Sequence, residues 1–429
     1  MSKKKRVVIT GMATVNPLGD TLEVFYRNLM AGKSGIRRWI SLNIDQLDCQ
    51  IGGDISDYDF NSALNQLKSS LSEEHHKKLR KLFRTLTFSN KSGLITALNA
   101  YLDANLFAIN LDPFRVSVIV GGHNFSNKYQ YDQIHQFNKE KEFVDPLFAI
   151  EALDANIPGT ISEALGIMGP SYTVGATCAS GNVAMRDGFR DIVMGECDVS
   201  VICGPIFHIN ELDIHAMASI NAVVTEKKFQ HDPERASRPF DSKRCGFVPS
   251  HGAATLILED LDHAIKRDAR IYAEVLGVAA NSNANHLPAP SENAQYHLIT
   301  HLLQSTGTRK EDVNFISCHA TGTPLGDIVE LNAIRRSFGD HAYKLKLNAP
   351  KSMLGHTTWS APLVETIAAV MQMNNSKLHG TINIEKLADE VDLDVCANGP
   401  IDWNVDVMLK NSFGFGGLNC SSLIKKYKE

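Results

Sequence analysis

One succession of elements is written twice along this chain, and that repetition restricts the fold more than any local signal. In the first half, strand patterns fall at 6–15, at RVSVIVGG (115–122), at 172–176, at DVSVICG (198–204) and at GAATLILED (252–260). In the second half, RIYAEVLGVAAN (270–281) repeats the first strand and VNFISCHATGT (313–323) repeats RVSVIVGG. LKLNAPKSMLGH (345–356) leads into a helix at 361–373, as residues 172–176 lead into a helix beyond Cys178. VMLKNSFGFGG then parallels VSVICGP, and CSSLIKK parallels AATLILE. Like order in two halves split near residue 262 predicts a duplicated α/β unit, with halves at 1–262 and 263–429. Strands alternating with helices predict mainly parallel sheets covered by helices on both faces. If the halves pack as a pseudo-dimer, equivalent strand ends meet. Cys178, His319, His356 and the Gly414–Gly417 loop then converge.

Cys178 is the residue around which chemistry gathers. Tyr172 to Ala176 reads as a short buried strand, and Met185, Phe189, Ile192 and Val193 recur at helical spacing. The cysteine therefore falls on a strand-to-helix turn, where free backbone N–H groups and the helix dipole predict a lowered thiol pKa. The competing reading is a buried structural cysteine. His319 ends a strand in SCHATGTPLGD, with Thr321 and Thr323 able to hydrogen-bond a polar ligand arm. In APKSMLGHTTWSAPLVE, Lys351 and His356 share a strand-to-helix turn and Glu365 follows on the helix. A buried lysine beside a carboxylate would fix local geometry; a surface lysine on a capped helix is the alternative. NSFGFGGLN (411–419) reads as a tight glycine turn between strands whose backbone N–H points into a site, the donor an oxyanion hole needs. One thiol, two imidazoles and such a turn form a coherent set for acyl transfer.

The rest of the chain narrows the class. A formal charge of −5 argues against general nucleic-acid binding, and no apolar run approaches a membrane span. The start, MSKKKRVVITGMATV, alternates like a strand and lacks a cleavage site, so a signal peptide is not expected. The cysteines at 49, 178, 197, 203, 245, 318, 396 and 420 form no CxxC pair, which points to a reduced, cytoplasmic chain without a zinc site. Helices are expected at Thr21–Met30, at 91–104 and at 150–166, and from Ser72 as a capping box with Glu73 and Glu74 in the first turn. Residues 40–70 read as irregular, and 123–145 as a long loop or an irregular helix.

At these residues the chain resembles the β-ketoacyl-acyl-carrier-protein synthases of the FabF (KAS II) type, including type II polyketide ketosynthases, in the thiolase superfamily. RVVITGMATVNPLG, LMAGKSGI, GPSYTVGATCASG, ASRPFD, RIYAEVLG, HATGTPLGD, KSMLGH and NSFGFGGLN stand in the order that family shows. The resemblance implies a thiolase-like α/β fold of two duplicated halves in five αβαβα layers. It implies a decarboxylative Claisen condensation of acyl-Cys178 with malonyl-carrier protein, in polyketide or specialised fatty acid biosynthesis. His319 and His356 would assist decarboxylation and stabilise the enolate. Backbone N–H groups of Cys178 and Phe415 would form the oxyanion hole, with Lys351 and Glu365 a pair behind the histidines. Thr321 and Thr323 would hold the phosphopantetheine arm, and Phe413 and Phe415 would gate the acyl pocket. Arg80, Lys81, Lys227 and Lys228 would dock the acidic acyl carrier protein. No cofactor or metal is implied. The partner would be an acyl carrier protein, with a homodimer or a heterodimer with a chain-length-factor subunit. A catalytic subunit working only with that partner, or a malonyl-carrier-protein decarboxylase, are the alternatives. Departures at Cys245, Ser250-His251-Gly252, TTWSAP and GGHNFS point to a specialised acyl pocket, and Thr177, where the family usually has Ala, adds a hydroxyl next to the nucleophile.

Overall fold

Uninterrupted runs such as VSVIVG, VSVICG and AATLILED have no polar face to show to water, so they must lie inside a sheet covered on both sides. The computed structural model, which describes residues 5–428, places them so. Five strands come from the first half: β1 (Val7–Val15), β2 (Val116–Gly121), β3 (Ser171–Val174), β4 (Val199–Gly204) and β5 (Ala253–Asp260). Five come from the second: β6 (Ala273–Ser282), β7 (Val313–Ser317), β8 (Lys346–Asn348), β9 (Val407–Gly414) and β10 (Leu418–Lys425). They hydrogen-bond into one 10-stranded sheet in the order β3-β2-β4-β5-β1-β6-β10-β9-β7-β8. The order is a mirror: β1 answers β6, β2 answers β7, β3 answers β8, β4 answers β9 and β5 answers β10. Each half is mixed rather than purely parallel. β2 pairs parallel with β3 and β4, and β7 with β8 and β9, but β5 and β10 run against their neighbours. The reason is visible in the second half, where the short glycine turn after β9 can only return the chain antiparallel.

Helices supply the other layers. In chain order they are α1 (Phe88–Asp103), α2 (Asn156–Leu165), α3 (Ser180–Met194), α4 (Glu292–Thr306), α5 (Gly326–Phe338) and α6 (Ala361–Asn375). α1 and α2 pack only on first-half strands and α4 only on second-half strands, with α5 against α4. α3 and α6 touch each other and strands of both halves, so they form the middle layer. The sequence of α6, APLVETIAAVMQMNN, is apolar nearly all round, as a helix enclosed between the two five-stranded halves of the sheet must be. The arrangement is the thiolase-like α/β fold.

Local expectations fail where tertiary position decides. β3 is a half-exposed edge strand, not a buried one, because the sheet ends there. Residues 40–70 contain a helix, Phe60–Gln66, capped by Asp59, whose side chain accepts from the N–H groups of Asn61 and Ser62. Ser72 caps the helix Glu73–Leu82 on one side only, since His75 rather than Glu stands at the third position. Residues 123–145 form a helix, Asn127–Lys139, with no buried residue to give it an apolar stripe.

The seam between the halves is short: Val7 pairs with Val275, Val8 with Glu274 and Ile9 with Ala273. Charged side chains reinforce it. Arg6 holds Glu274 through two bonds of 2.7 Å. Glu259 on β5, its side chain fully buried, takes Thr10 Oγ1 at 2.7 Å and a two-pronged contact from Arg267 at 2.6 Å. Burial pushes this carboxyl up, but Arg267, His263 and Thr10 more than offset it and hold it below the usual glutamate range. A depressed carboxyl contributes stability above its unfolded pKa and loses it as the pH falls. Glu259→Gln should therefore lower stability at pH 7 by about 3–5 kcal/mol in urea unfolding. The gap from the parent protein should shrink as the pH drops below the normal glutamate range.

Candidate active site

The turn bearing Cys178 is built by short polar bonds. The segment Thr177–Ala179 is a single tight turn, and α3 begins at Ser180. Ser180 Oγ accepts the Ala176 N–H at 2.8 Å and donates to the Thr177 carbonyl at 2.7 Å, closing the turn on itself. Thr177 has a φ of 45°, a left-handed conformation costly for a β-branched residue. Its hydroxyl donates to the carbonyl of Phe415 at 2.9 Å. Phe415 lies on the hairpin between β9 and β10, so one hydrogen bond joins the cysteine turn of the first half to the glycine turn of the second. Gly414 permits this approach: a Cβ there would lie 2.1 Å from Thr177 Oγ1 and 3.2 Å from the backbone N of Cys178.

Around this junction a cleft of about 270 Å³ is lined by Cys178, His319, Thr321, Thr323, His356 and Phe413–Phe415, among others. Thr321 and Thr323 stand together on one wall, their hydroxyls 3.2 Å apart. The His319 and His356 rings meet edge to face at 5.5 Å, and Phe413 and Phe247 pack against one ring each. A second cavity of about 240 Å³ opens on the other side of Cys178, between Asn124, Asn127, Phe207, Asp213, Met217, Thr358 and Trp359.

Each imidazole is held by its backbone. The His356 N–H donates to the Val248 carbonyl at 2.7 Å and its carbonyl accepts from Ser250 at 3.0 Å. Its Nδ1 accepts the Thr358 N–H at 3.2 Å, which places the ring proton on Nε2; Nε2 has no protein partner. The His319 N–H donates to Glu330 Oε1 at 2.9 Å, and its carbonyl accepts from Lys351 Nζ at 2.7 Å.

Lys351 and Glu365 do not line the cleft. They lie beneath it, both buried and paired with each other. The same carboxylate meets a second buried ammonium, Lys410, 2.7 Å from Glu365 Oε2. Lys410 was not among the residues singled out from the sequence, although a lysine inside the apolar run VMLKNSF of β9 marks a charge at a core position. Glu330 was missed too; its helix carries no visible motif beyond HATGTPLGD. Of the four basic residues, Lys227 and Lys228 are exposed on the short helix Lys227–His231, a few residues along the chain from the cleft-lining Ile220–Ala222. Arg80 and Lys81 are exposed in a separate basic groove with Lys77, Lys78 and Arg84.

The electrostatics correct one expectation. Burial pushes the Cys178 thiol up to about 11; Lys351 and the N–H groups of Phe415 and of Cys178 itself pull the other way without prevailing. The helix N-terminus was expected to lower it, but the enclosing site withholds water from the thiolate. His319 and His356 are driven well below the ordinary histidine value, first by burial and then by the positive charge of Lys351. Both rings are neutral at pH 7.

The chain is similar to known proteins over nearly its whole length. Residues 4–264 match the family model described as "Beta-ketoacyl synthase, N-terminal domain", and residues 272–385 match "Beta-ketoacyl synthase, C-terminal domain". The 3-oxoacyl-(acyl-carrier-protein) synthase 2 of Synechocystis sp. is 33% identical over 431 residues, covering 99% of this chain and 99% of that protein. The polyketide biosynthesis malonyl-ACP decarboxylase PksF of Bacillus subtilis is 28% identical, covering 99% of this chain and 97% of its own. Among solved structures, the ishigamide ketosynthase/chain length factor superposes with a TM-score of 0.88 at 26% identity, over 99% of this chain and 100% of that one. A type II PKS ketosynthase in complex with its acyl-carrier protein gives 0.85 at 25% identity, again over 99% and 100%.

Gly414→Ala tests the junction. The added methyl must displace the Thr177–Cys178 turn, while the packed sheets on either side are untouched. The variant should keep the parent's circular dichroism, yet its Cys178 should be alkylated or acylated on the order of 100-fold more slowly. A rate within twofold of the parent would contradict the close approach.

Proposed function

The chain belongs to the β-ketoacyl synthase family, and from that premise we propose that it is a condensing enzyme joining an acyl group held on Cys178 to malonyl-acyl carrier protein. The observation that carries this reading is the meeting of one thiol and two neutral imidazoles on a single cleft, with backbone N–H groups directed at the sulfur.

In the first step the Cys178 thiol gives its proton to a neutral imidazole of the cleft, and the thiolate attacks the carbonyl of an acyl thioester. The N–H groups of Cys178 and Phe415 stabilise the oxyanion, a contribution worth about 3 kcal/mol per donor. The carrier sulfur leaves as a thiol by taking that proton back from the imidazole, which returns to its neutral form, and the acyl chain enters the second cavity past Phe413 and Phe415. In the next step the bond between the malonyl α-carbon and its carboxylate breaks and CO2 departs. His356 Nε2–H and His319 donate to the thioester oxygen as it becomes an enolate. The α-carbon attacks the acyl-Cys178 carbonyl, the carbon–sulfur bond breaks, and 3-oxoacyl-carrier protein forms while the thiolate is restored. Lys351 and Glu365 keep His319 in place from below. Thr321 and Thr323 hold the phosphopantetheine arm, and the reaction calls for no bound cofactor. Lys227 and Lys228, with Arg80 and Lys81 in their separate groove, attract the acidic carrier. Among the described residues no helix is long and apolar enough to cross a membrane, in keeping with action in the cytoplasm.

The halves 1–262 and 263–429 are read as its two duplicated units. The half-exposed edge strand β3, whose Thr173 hydroxyl bonds the carbonyl of Asp154 next to exposed Leu153, suits pairing with a second chain, either a copy or a related chain-length-factor subunit. The second cavity supports a specialised polyketide or fatty acid pathway. Asn124, Asn127 and Asp213 make part of its wall polar, and Trp359 narrows it. A decarboxylase that never extends a chain is the second reading, favoured by the length over which the Bacillus subtilis relative matches.

Intact-mass spectrometry after incubation with acyl-carrier protein separates these. The parent protein should gain one acyl group and Cys178→Ala none. An acyl adduct on the variant would refute the assignment; CO2 release without any adduct on the parent would favour the decarboxylase. Trp359→Ala should shift the retained acyl groups toward longer chains, read in the same spectra from a mixed carrier pool.

A further inference from the structure

Lys410 is a fully buried charge that the reaction steps leave unused. It stands on β9, its side chain below the two imidazoles in a compartment with no water contact. Every charged or titratable group facing it can be named. Glu365 comes from α6, with Oε2 at 2.7 Å; Lys351 comes from the short helix Lys351–Leu354 and shares that carboxylate. Glu330 comes from α5, and its oxygens accept from the N–H groups of His319 and Ala320 and from Asn411 Nδ2 at 2.9, 2.8 and 3.0 Å. His319 and His356 lie above; the Cys318 and Cys420 thiols alongside are neutral because burial pushes both up. The ammonium of Lys410 donates to the Asn411 carbonyl and to Ser412 Oγ, so its contact with Glu365 is an ion pair off the hydrogen-bonding direction.

We propose that Lys410 is a positioning residue of this active site: with Lys351 it brackets the Glu365 carboxylate, and its charge sets the field beneath His319 and His356. Two observations join in this. Two buried ammonium groups flank the Glu365 carboxylate, while Glu330, the second anion, spends its oxygens on backbone and amide donors, so the four charges balance only with Lys410 in place. Each imidazole is also depressed by Lys410 after burial and Lys351 have acted. Protonating His356 would in addition break the bond from Thr358 to Nδ1. A neutral ring is thus a requirement of the geometry as well as of the charges. Without Lys410, the cluster of Lys351, Glu365 and Glu330 turns net negative, and a proton on either ring becomes easier to hold.

The inference rests on the condensing reading for its kinetic arm but not for its titration arm. Histidine ring nitrogens are followed by NMR against pH in the parent protein and in Lys410→Gln, which still offers donors to the Asn411 carbonyl and Ser412. The midpoints of His319 and His356 should rise by roughly 1 unit in the variant. In parallel, the acid limb of CO2 release from malonyl-carrier protein should move up in pH by a like amount. Glu365→Gln, which bares both ammonium groups, should move the midpoints the opposite way. Should Lys410→Gln not fold, the Glu365→Gln direction alone decides, and an upward or absent shift overturns the proposal. Unmoved midpoints in a folded Lys410→Gln overturn it too, even if the rate falls. A parent protein that releases no CO2 overturns the condensing reading, while the titration still judges Lys410.

Discussion

The carboxylate of Glu365 is the charge on which this site depends. It is enclosed on all sides, where an unpaired carboxylate would carry a large desolvation cost. Two ammonium groups, Lys351 and Lys410, offset it. Lys351 in turn reaches the carbonyl of His319, and the carboxylate of Glu330 takes the His319 N–H from the other direction. The backbone of His319 is therefore clamped between a cation and an anion. A ring held that way cannot drift as charge develops on a substrate, which is what preorganised stabilisation requires. The strength of the arrangement lies in its completeness. A buried ion pair is of little net worth to stability, but losing one member exposes the others to full desolvation.

The fold supplies the second constraint. Because the strand order is a mirror, the turn after β3 and the turn after β8 are equivalent places, and so are the ends of β2 and β7. Cys178 follows β3 and His356 follows β8, each just before a helix of the middle layer. His319 follows β7. The glycine hairpin after β9 then lies against the cysteine turn. The contact is a hydrogen bond from Thr177 to Phe415, made possible by the missing side chain at Gly414. The site is thus assembled across the two halves, and neither half contains it. The same reasoning explains why the thiol is not activated by the helix end alone. A site formed by two enclosing units is dry, and dryness raises a thiol as surely as a helix N-terminus lowers it.

How much of this was legible in the sequence follows from which signals are local. The repeat order was legible, since apolar runs and turn residues mark strands and helices whatever their partners, and it correctly grouped β1 with β6 through β5 with β10. The gathering of Cys178, His319 and His356 followed from that order by symmetry. The edge position of β3 was not legible, because SYTV reads the same beside a neighbour or beside water. The thiol pKa was misjudged because burial belongs to the whole assembly, while the turn belongs to a few residues. Lys410 was passed over for a different reason. A lysine among apolar residues is conspicuous, but its meaning depends on Glu365 and Glu330, which arrive from distant helices. The basic residues Arg80, Lys81, Lys227 and Lys228 were legible as exposed charges and nothing more; the last two stand on a short helix a few residues beyond the cleft-lining Ile220–Ala222 and the first two in a separate groove.

The residues that depart from the family pattern are not scattered either. Trp359 stacks on His123 at 4.4 Å and packs against Phe207 at 5.2 Å, and with Asn124 it lines the cavity beyond the thiol. His251 packs against Trp39 and Phe88 with Asp54 3.3 Å away, on the segment whose Val248 and Ser250 hold the backbone of His356. Among the departures, Asn124 and Trp359 wall the second cavity and His251 stands behind His356, while Thr177 sits in the cysteine turn itself, bonded to the glycine hairpin. That division has a physical basis. Attack on a thioester demands one geometry for every acyl group, whereas the cavity must fit only the group it receives. Yet the two regions are not independent. Trp359 follows directly on Thr358, whose N–H fixes the ring proton of His356 and whose φ of 53° is already strained. A change in the wall at 359 therefore lies one peptide bond from the N–H that fixes the His356 tautomer, so the cavity's shape and that tautomer are coupled by the chain.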